Sequence, residues 1–447
     1  MANMAQTYRG SRSDLRFRAA GLEGERGSVA RALLFLLVVG LLTWTHAPPA
    51  NAEEPVVELS PESEAEYTSA ATASAATGLG VSQKEPSLFP FLISFGVRGG
   101  YDSNARTTPD PMSSWFSSQE LTLAYDRDRE ATKLAILARG GVIERFSANT
   151  DANGSLDLSL DHQVSERLTL TAGINAAYRA EPTFATDLGL SRRAGNYFST
   201  ADLFSVAYQW TRRFSTVSSF SFRLLRYEND QTAAFADRQD YTLGQEFRYA
   251  ATRHTVLVAN YRFLVVDYVT LPQDSTTNFF LAGVEEAFSS RLQAQLRAGV
   301  SFRSIEGAQE QTNPNVEASL NYALGPQSSL IWTGRYGVEA QSTGVRNNTS
   351  SEPTFRTGLQ FHYAITPRIS TSLGFNYHEN QNQPRNITTP AATFVAANAY
   401  DVLLNLRYQI NRHLDCDLSY QRSGATSSDP LQEYSRNRYA IGLNFTF

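Results

Sequence analysis

Residues 292–303 read LQAQLRAGVSFR, so that apolar and polar side chains alternate along the whole stretch. Successive side chains of an extended strand point to opposite sides, which puts Leu292 and Leu296 on one face and Gln293 and Arg297 on the other. The strands of a soluble β-sandwich are shorter than this stretch. The polar face of this stretch also carries charged residues. A strand that crosses a membrane at a tilt needs about 9–11 residues with one apolar face, and this stretch meets that need.

The same alternation returns along the chain, for example at residues 168–179, 369–378 and 400–409. Strand starts are expected near residues 91, 116, 132, 154, 167, 197, 213, 239, 254, 277, 291, 314, 328, 353, 368, 398, 412 and 434. This rhythm predicts about eighteen strands, within a range of sixteen to twenty. In lipid only a closed sheet leaves no unpaired edge, so the fold class expected for residues 88–447 is all-β, a transmembrane antiparallel up-and-down β-barrel.

Short and long connections alternate between the predicted strands. The short turns fall near Ser165, Arg212, Thr252, Ser290, Pro326, Pro367 and Asn411. Longer polar stretches fall at residues 102–115, 180–195, 340–352, 379–397 and 422–432. Such alternation is expected of a barrel with tight periplasmic turns and longer external loops. The tyrosines just before tight turns are expected to form the periplasmic aromatic girdle; they are Tyr208, Tyr249, Tyr322, Tyr363 and Tyr408.

The first 87 residues predict export followed by a linker. The apolar run at residues 32–44 is too short to span a bilayer, which takes about 20 residues in a helix. Arg31 precedes the run and the small-residue site Ala50-Asn51-Ala52 follows it, which is typical of a secretory signal peptide over residues 1–52. An uncleaved anchor is the alternative. Residues 53–87 are acidic and poor in aromatic residues, which predicts a disordered periplasmic linker.

The end of the chain indicates the outer membrane. Apolar and aromatic residues stand at alternate positions up to the last residue; they are Tyr439, Ile441, Leu443, Phe445 and Phe447. An alternating aromatic strand that ends in Phe resembles the terminal strand read by the barrel-assembly machinery. We therefore expect that machinery as a partner during biogenesis, and outer-membrane lipid and lipopolysaccharide around the folded barrel.

The chemistry-bearing residues do not predict an enzyme. Past the signal peptide the histidines are scattered; they are His162, His254, His362, His378 and His413. None has the spacing of a metal site or of a nucleophile with its base, and Cys416 is the single cysteine. An external active site at His378-Glu379 is kept as a remote alternative. We expect no catalytic residues, no metal, no cofactor and no nucleic-acid partner.

The polar faces of the strands are expected to line an aqueous lumen, because barrels of 16–18 strands leave a channel unless they are plugged. The basic residues expected there are Arg179, Arg223, Arg248, Arg297, Arg335, Arg356 and Arg407. The acidic residues expected there are Asp157, Asp161, Glu246, Glu317, Glu339, Asp401, Asp415 and Asp417. A charged lining can set selectivity; the alternative is that opposite charges neutralise one another across the wall.

A first strand that closes in Tyr101-Asp102-Ser103-Asn104, together with the terminal strand, resembles the family described as putative beta-barrel porin 2. The resemblance covers about residues 88–447 and implies a link to exopolysaccharide-biosynthesis operons. It carries over no catalytic residues. Asp102, Ser103 and Asn104 are good turn formers and are expected to start the first external loop; a role in strand closure or in cation binding is the alternative.

The function expected from these features is a porin-like outer-membrane channel for small solutes or polysaccharide, with exopolysaccharide export implied by the resemblance alone. The alternative is a structural or adhesive barrel whose external loops bind a partner without transport. A third class, an outer-membrane hydrolase, would need the external site at His378.

Overall fold

The computed structural model describes residues 91–184, 192–270, 274–305, 310–338, 353–380, 397–427, 430 and 433–447. The predicted signal peptide and linker lie outside these ranges, as does Glu339. Within them, no helix is long and apolar enough to cross a membrane.

Eighteen strands account for nearly all of the described chain. They are β1(Phe91–Asp102), β2(Ser114–Arg129), β3(Thr132–Arg145), β4(Asp151–Ser165), β5(Leu168–Arg179), β6(Tyr197–Gln209), β7(Phe214–Tyr227), β8(Arg238–Ala250), β9(Thr255–Tyr268), β10(Ser275–Ser289), β11(Leu292–Ile305), β12(Gln311–Gly325), β13(Ser328–Val338), β14(Pro353–Thr366), β15(Ile369–Asn380), β16(Ala397–Gln409), β17(Leu414–Ser427) and β18(Tyr434–Thr446). The predicted number of strands is confirmed, and every predicted start lies within three residues of the observed one. A short helix, α1(Asp230–Ala236), lies between β7 and β8 and is capped by the Asn229 side chain.

The sheet closes on itself. Each strand pairs antiparallel with the next, and β1 also pairs antiparallel with β18, from Ser94 opposite Thr446 to Asp102 opposite Arg438. Closure leaves no edge strand, so every strand has a hydrogen-bonded neighbour on both sides, as a lipid environment requires. The predicted antiparallel up-and-down barrel is confirmed.

The two faces of the strands differ as the alternation predicts. On β18 the outward positions are apolar and exposed, for example Tyr439 at 51% and Ile441 at 60%, whereas the inward position Arg436 is buried at 3%. Tyr249, Tyr363 and other residues of the predicted girdle are also exposed outward near the tight turns. The outer surface is therefore an apolar belt, and most charged residues of the strands face the lumen, with Asp202 of β6 an exception.

The two ends of the barrel also differ. Turns of two to four residues, such as 166–167 and 210–213, lie at the end where β1 begins and β18 ends, and the longer connections lie at the opposite end. In outer-membrane barrels the short turns are periplasmic and the longer loops are external. We use "periplasmic end" and "external end" in this sense.

Candidate functional site

On β3 and β4 the inner face changes from exposed to buried towards the external end. On β3, Lys133 at the periplasmic end is exposed, whereas Arg145 at the external end is 4% exposed. On β4, Asp161 is exposed at the periplasmic end and Asp151 is 3% exposed at the external end. On β10, Glu285 is buried nearer the periplasmic end as well. Next to β3 and β4, protein therefore fills the external end of the lumen.

The filling includes a segment of the loop between β5 and β6. Residues 180–184, which we call the strap, leave β5 and run inward instead of outward. At the end of the strap, Phe184 packs with Ala399, Ala425 and Tyr434 of β16, β17 and β18. Its ring centroid also lies 6.3 Å from that of His378 on β15. By the shorter way round the barrel, β18, β17, β16 and β15 lie five, six, seven and eight steps from β5, so the strap reaches across the lumen to a distant part of the wall.

Glu181 fixes the strap by ion pairs with three arginines. Its carboxylate lies 2.5 Å from Arg145 Nη2 on β3, 2.6 Å from Arg436 Nη1 on β18 and 3.7 Å from Arg193 Nη1 on the returning arm of the same loop. Arg145 also pairs with Asp151, and Arg436 with Asp102 at 2.5 Å. Three guanidinium groups thus pair with three carboxylates, and the guanidinium of Arg438 also acts on Glu181, so the cluster has one more positive group than negative groups.

The ionised state of Glu181 is held by these partners. Burial alone would raise the pKa of the Glu181 carboxyl, but the guanidinium groups of Arg436, Arg438 and Arg193 outweigh burial and hold the pKa well below its usual range. The carboxylate therefore remains charged at neutral pH. Removing one partner of a buried ion pair costs more than the pair contributes, because the other charge stays buried.

Hydrogen bonds fix the start of the strap against its own wall. The Ala180 backbone N–H donates to Asn153 Oδ1 at 3.4 Å. The Tyr197 hydroxyl donates to the Glu181 carbonyl at 3.1 Å and lies 3.0 Å from Thr183 Oγ1. The strap is therefore tied at its base to β4 and β6, and at its tip to the opposite wall.

The returning arm of the loop is tied to the first external loop and to α1. The Arg193 backbone N–H donates to Thr107 Oγ1 at 2.7 Å, and its guanidinium donates to the Ala105 carbonyl at 3.1 Å. Thr107 adopts a positive φ of 53°, which is rare for a β-branched residue and is held here by these contacts. Thr232 of α1 donates to the Ala194 carbonyl at 2.8 Å. The first external loop and α1 therefore hold the returning arm of the strap loop in place.

The motif Tyr101 to Asn104 both starts a loop and joins the first strand to the last. Asp102 Oδ1 accepts from the Asn104 backbone N–H at 3.1 Å, as a turn-forming aspartate does. The same carboxylate accepts from Arg436 across the seam between β1 and β18, and Asn104 Nδ2 donates to the Ser435 carbonyl at 3.3 Å. The Tyr101 ring lies against Trp115 on the outer surface. Turn formation and strand closure are thus combined in these few residues.

Several residues expected to line the lumen form a charged ladder on β8 to β12. Arg248 lies 2.8 Å from Glu246 and 2.5 Å from Glu285, and Arg297 lies 3.1 Å from both carboxylates. One strand further on, Glu317 lies 2.5 Å from Arg262. Opposite charges therefore alternate along this wall.

The remaining predicted lining residues are spread over the rest of the wall. Arg407 pairs with Asp415 at 2.6 Å, and Asp417 pairs with Arg98 at 3.2 Å. Asp401 accepts from Gln421 at 2.7 Å. The others occupy lumen-facing positions on β4, β5, β7, β13 and β14, where Arg335 and Arg356 are cross-strand partners; they are Asp157, Asp161, Arg179, Arg223, Arg335 and Arg356. The structure brings none of them together as an acid–base or nucleophile site.

Comparison with known families identifies the barrel. The family model described as putative beta-barrel porin 2 matches residues 90–447. The chain belongs to this family. The match covers the entire barrel and begins one residue before β1, and it gives the protein a porin-like outer-membrane channel fold. Family and fold point to a channel rather than to an enzyme, and they imply an outer-membrane location. No curated protein matches the chain.

Solved porin structures from Pseudomonas aeruginosa are similar at low identity. OccK5 (OpdH) is 12% identical, with a TM-score of 0.41 over 80% of this chain and 98% of its own. OccK2 (OpdF), solved in complex with glucuronate, is 10% identical, with a TM-score of 0.42 over 80% and 98%. OpdK, solved with vanillate, is 11% identical, with a TM-score of 0.39 over 80% and 99%. Glucuronate and vanillate are ligands of those proteins.

Sequence reasoning missed the residues that build the strap of this porin. Arg145, Arg436 and Phe184 were absent from the expected site residues, and residues 180–195 were expected only as a polar external loop. Strand parity alone would have put Arg145 and Arg436 on the lumen face. Nothing local would have shown that Glu181 turns inward to meet them. Within the described ranges, no group of three or more metal-ligating side chains comes together.

Proposed function

We propose that this porin is a passive channel for small hydrophilic solutes across the outer membrane, and that the strap is its constriction. The observation that carries the proposal is Phe184 seated on the wall opposite β5, within a barrel whose inner face is charged. A segment that divides the lumen limits the size of whatever passes. The apolar outer belt fits a barrel surrounded by lipid and lipopolysaccharide.

Size, more than net charge, sets selectivity in this proposal. The lumen-facing ladder that includes Glu246, Arg248 and Arg297 pairs its charges at about 3 Å, so its field should largely cancel at a distance. The lining charges outside this ladder would then adjust the passage of ions locally. A dedicated filter of one sign is not needed.

Export of an exopolysaccharide is the more specific form of the proposal and needs one further step. A hydrated polymer is wider than a single small solute, so the strap would have to leave the far wall before the polymer could pass. The support for this form is the family's association with polysaccharide operons, which is analogy. It therefore makes a distinct expectation: polymer passage should depend on displacement of Phe184.

Single-channel recording of the purified protein in planar bilayers tests the proposal. We expect stable conductance steps that become smaller when neutral solutes small enough to enter the pore are added, and that keep their size when the added solutes are too large for the constriction. A folded, heat-modifiable barrel that gives no steps would refute the channel. The structural or adhesive barrel would then be the better account, and deletion of external loops should abolish binding of its partner. A hydrolase with its site at His378 would lose its activity on replacement of His378 by alanine, and we expect no such loss.

A further inference from the structure

The wall that receives Phe184 has an unusual composition for the inside of this barrel. His378, Ala399, Ala425 and Tyr434 are consecutive cross-strand partners, so they form one row across β15, β16, β17 and β18. Two alanines between two rings leave a shallow notch that is flat at its base. The Phe184 side chain fills this notch, which we call the seat.

The seat is well covered when Phe184 occupies it. Ala399 is 0% exposed and Ala425 is 4% exposed, although both lie on the lumen side of the wall. Phe184 itself is 8% exposed. The side chain that buries these atoms comes from a loop, so it can leave without unfolding a strand.

Hydrogen-bonding groups border the seat on the side nearer the middle of the barrel. Asp401, Ser423 and Arg436 are also consecutive cross-strand partners and form the next row of the lumen face. Within the described part of the chain, His378 Nδ1 is buried and has no hydrogen-bond partner. A buried polar nitrogen without a partner is destabilising, and a bound donor or acceptor would satisfy it.

We propose that the seat is a binding subsite for one pyranose ring of a sugar, and that Phe184 occupies it in competition with the ligand. A pyranose presents an apolar C–H face, which suits Tyr434 and the two alanines, and a rim of hydroxyl groups, which suits His378 and Asp401. Binding sites for small molecules combine an apolar lining with a few placed polar groups in this way. The inference rests on the proposed function, because the ligand must enter the lumen.

Competition makes sugar binding and strap position interdependent. A ligand that binds only the vacant seat shifts the strap towards release, and its apparent affinity is reduced by the fraction of time that Phe184 occupies the seat. Removing the phenyl ring of Phe184 should therefore strengthen sugar binding, even though the ring lines the same lumen as the bound sugar. A purely structural anchor would show the opposite or no effect.

The test compares binding of maltohexaose, a neutral glucose oligomer, by calorimetry on the full chain in detergent. The variants are Phe184→Ala, the double variant Phe184→Ala/Tyr434→Ala, and the matched control Phe288→Ala. Phe288 is 65% exposed at the periplasmic end of β10, at the other end of the barrel from the strap. We expect F184A to bind at least about tenfold more tightly than wild type, from the apolar area that a phenyl ring buries. The double variant should lose this gain, and F288A should match wild type.

Three results would overturn the seat: unchanged or weaker binding in F184A, full binding in the double variant, or benzyl alcohol binding as tightly as the sugar. Bilayer recordings on the same proteins separate this inference from the proposed function. Sugar binding by a barrel that gives no conductance would refute the channel and support the seat. Normal conductance with no gain in F184A would support the channel and refute the seat.

Discussion

Replacing Glu181 by glutamine should release the strap while leaving the barrel intact. Glutamine keeps the size of the side chain but removes the charge that holds Arg145 and Arg436. Those two arginines retain Asp151 and Asp102 as partners, so their charges stay compensated in the variant. The perturbation is therefore confined to the connection between the strap and the walls.

The expected size follows from the contacts of the carboxylate. Glu181 accepts from Arg145 at 2.5 Å and from Arg436 at 2.6 and 3.3 Å. Hydrogen bonds to charged groups contribute about 1.5–3 kcal/mol each, and glutamine can still accept one neutral bond. A net loss of about 2–3 kcal/mol in the free energy of strap closure corresponds to a shift of about 30- to 150-fold towards the released state.

Single-channel conductance measures this shift directly. Wild type should spend most of the recording at a smaller, strapped level, and E181Q should spend most of it at a larger level. The matched control is Glu246→Gln, which removes a carboxylate from between Arg248 and Arg297 on a wall that the strap does not touch. E246Q should keep the wild-type distribution of levels, with a changed ion preference at most.

The pH dependence of the strapped conductance level tests the role of Glu181 independently. A carboxyl whose pKa is depressed by its partners stabilises the closed strap above the pKa of the free group, about 4.3, and loses that contribution as pH falls towards the depressed value. The strapped level of wild type should therefore persist from pH 7 to pH 5 and weaken only at more acidic pH. E181Q should show no such transition. Equal level distributions in E181Q and wild type would refute the role of the ion pairs in closure.

Three further predictions concern other parts of the barrel. Asp202 faces outward between Ile174 and Phe222, and its Oδ1 has no hydrogen-bond partner in the described ranges. Asp202→Leu should therefore raise the free energy of unfolding, measured by urea titration, by about 1–3 kcal/mol. A lower free energy of unfolding would contradict a lipid-facing position. Gly195 has a φ of +106°, so Gly195→Ala should strain the returning arm of the strap loop by about 1–3 kcal/mol. The variant should therefore spend more of the recording at the larger conductance level. Phe447→Ser should slow assembly, measured as the heat-modifiable fraction over time, yet leave stability unchanged because that side chain is 72% exposed.

The strands could be predicted because each of them carries its own information. A residue of β11 such as Leu296 faces lipid and its neighbour Arg297 faces the lumen, so the period of two is written locally and needs no knowledge of distant parts of the chain. Tight turns punctuate this pattern at regular intervals. The predicted lengths were less accurate, since the strands span 11 to 16 residues where about ten were expected.

The strap could not be predicted because its partners are distant in sequence and its own residues have no period. Glu181 and Arg436 are 255 positions apart and meet only because the barrel closes between β1 and β18. A polar loop sequence such as residues 180–195 is compatible with an outward or an inward path. The choice depends on the arginines at the external ends of β3 and β18, which offer the Glu181 carboxylate a charged site.

Charge pairing in the lumen bears on what this porin can select. Along the wall, Arg297 is shared by Glu246 and Glu285, and Arg262 is matched by Glu317, so the ladder approaches neutrality over a few ångströms. A lumen built from matched pairs attracts neither anions nor cations strongly at long range, and salt screens what remains beyond about 10 Å. In the proposed channel, discrimination then depends on short-range contact at the strap, where Phe184 packs against Ala399, Ala425 and Tyr434.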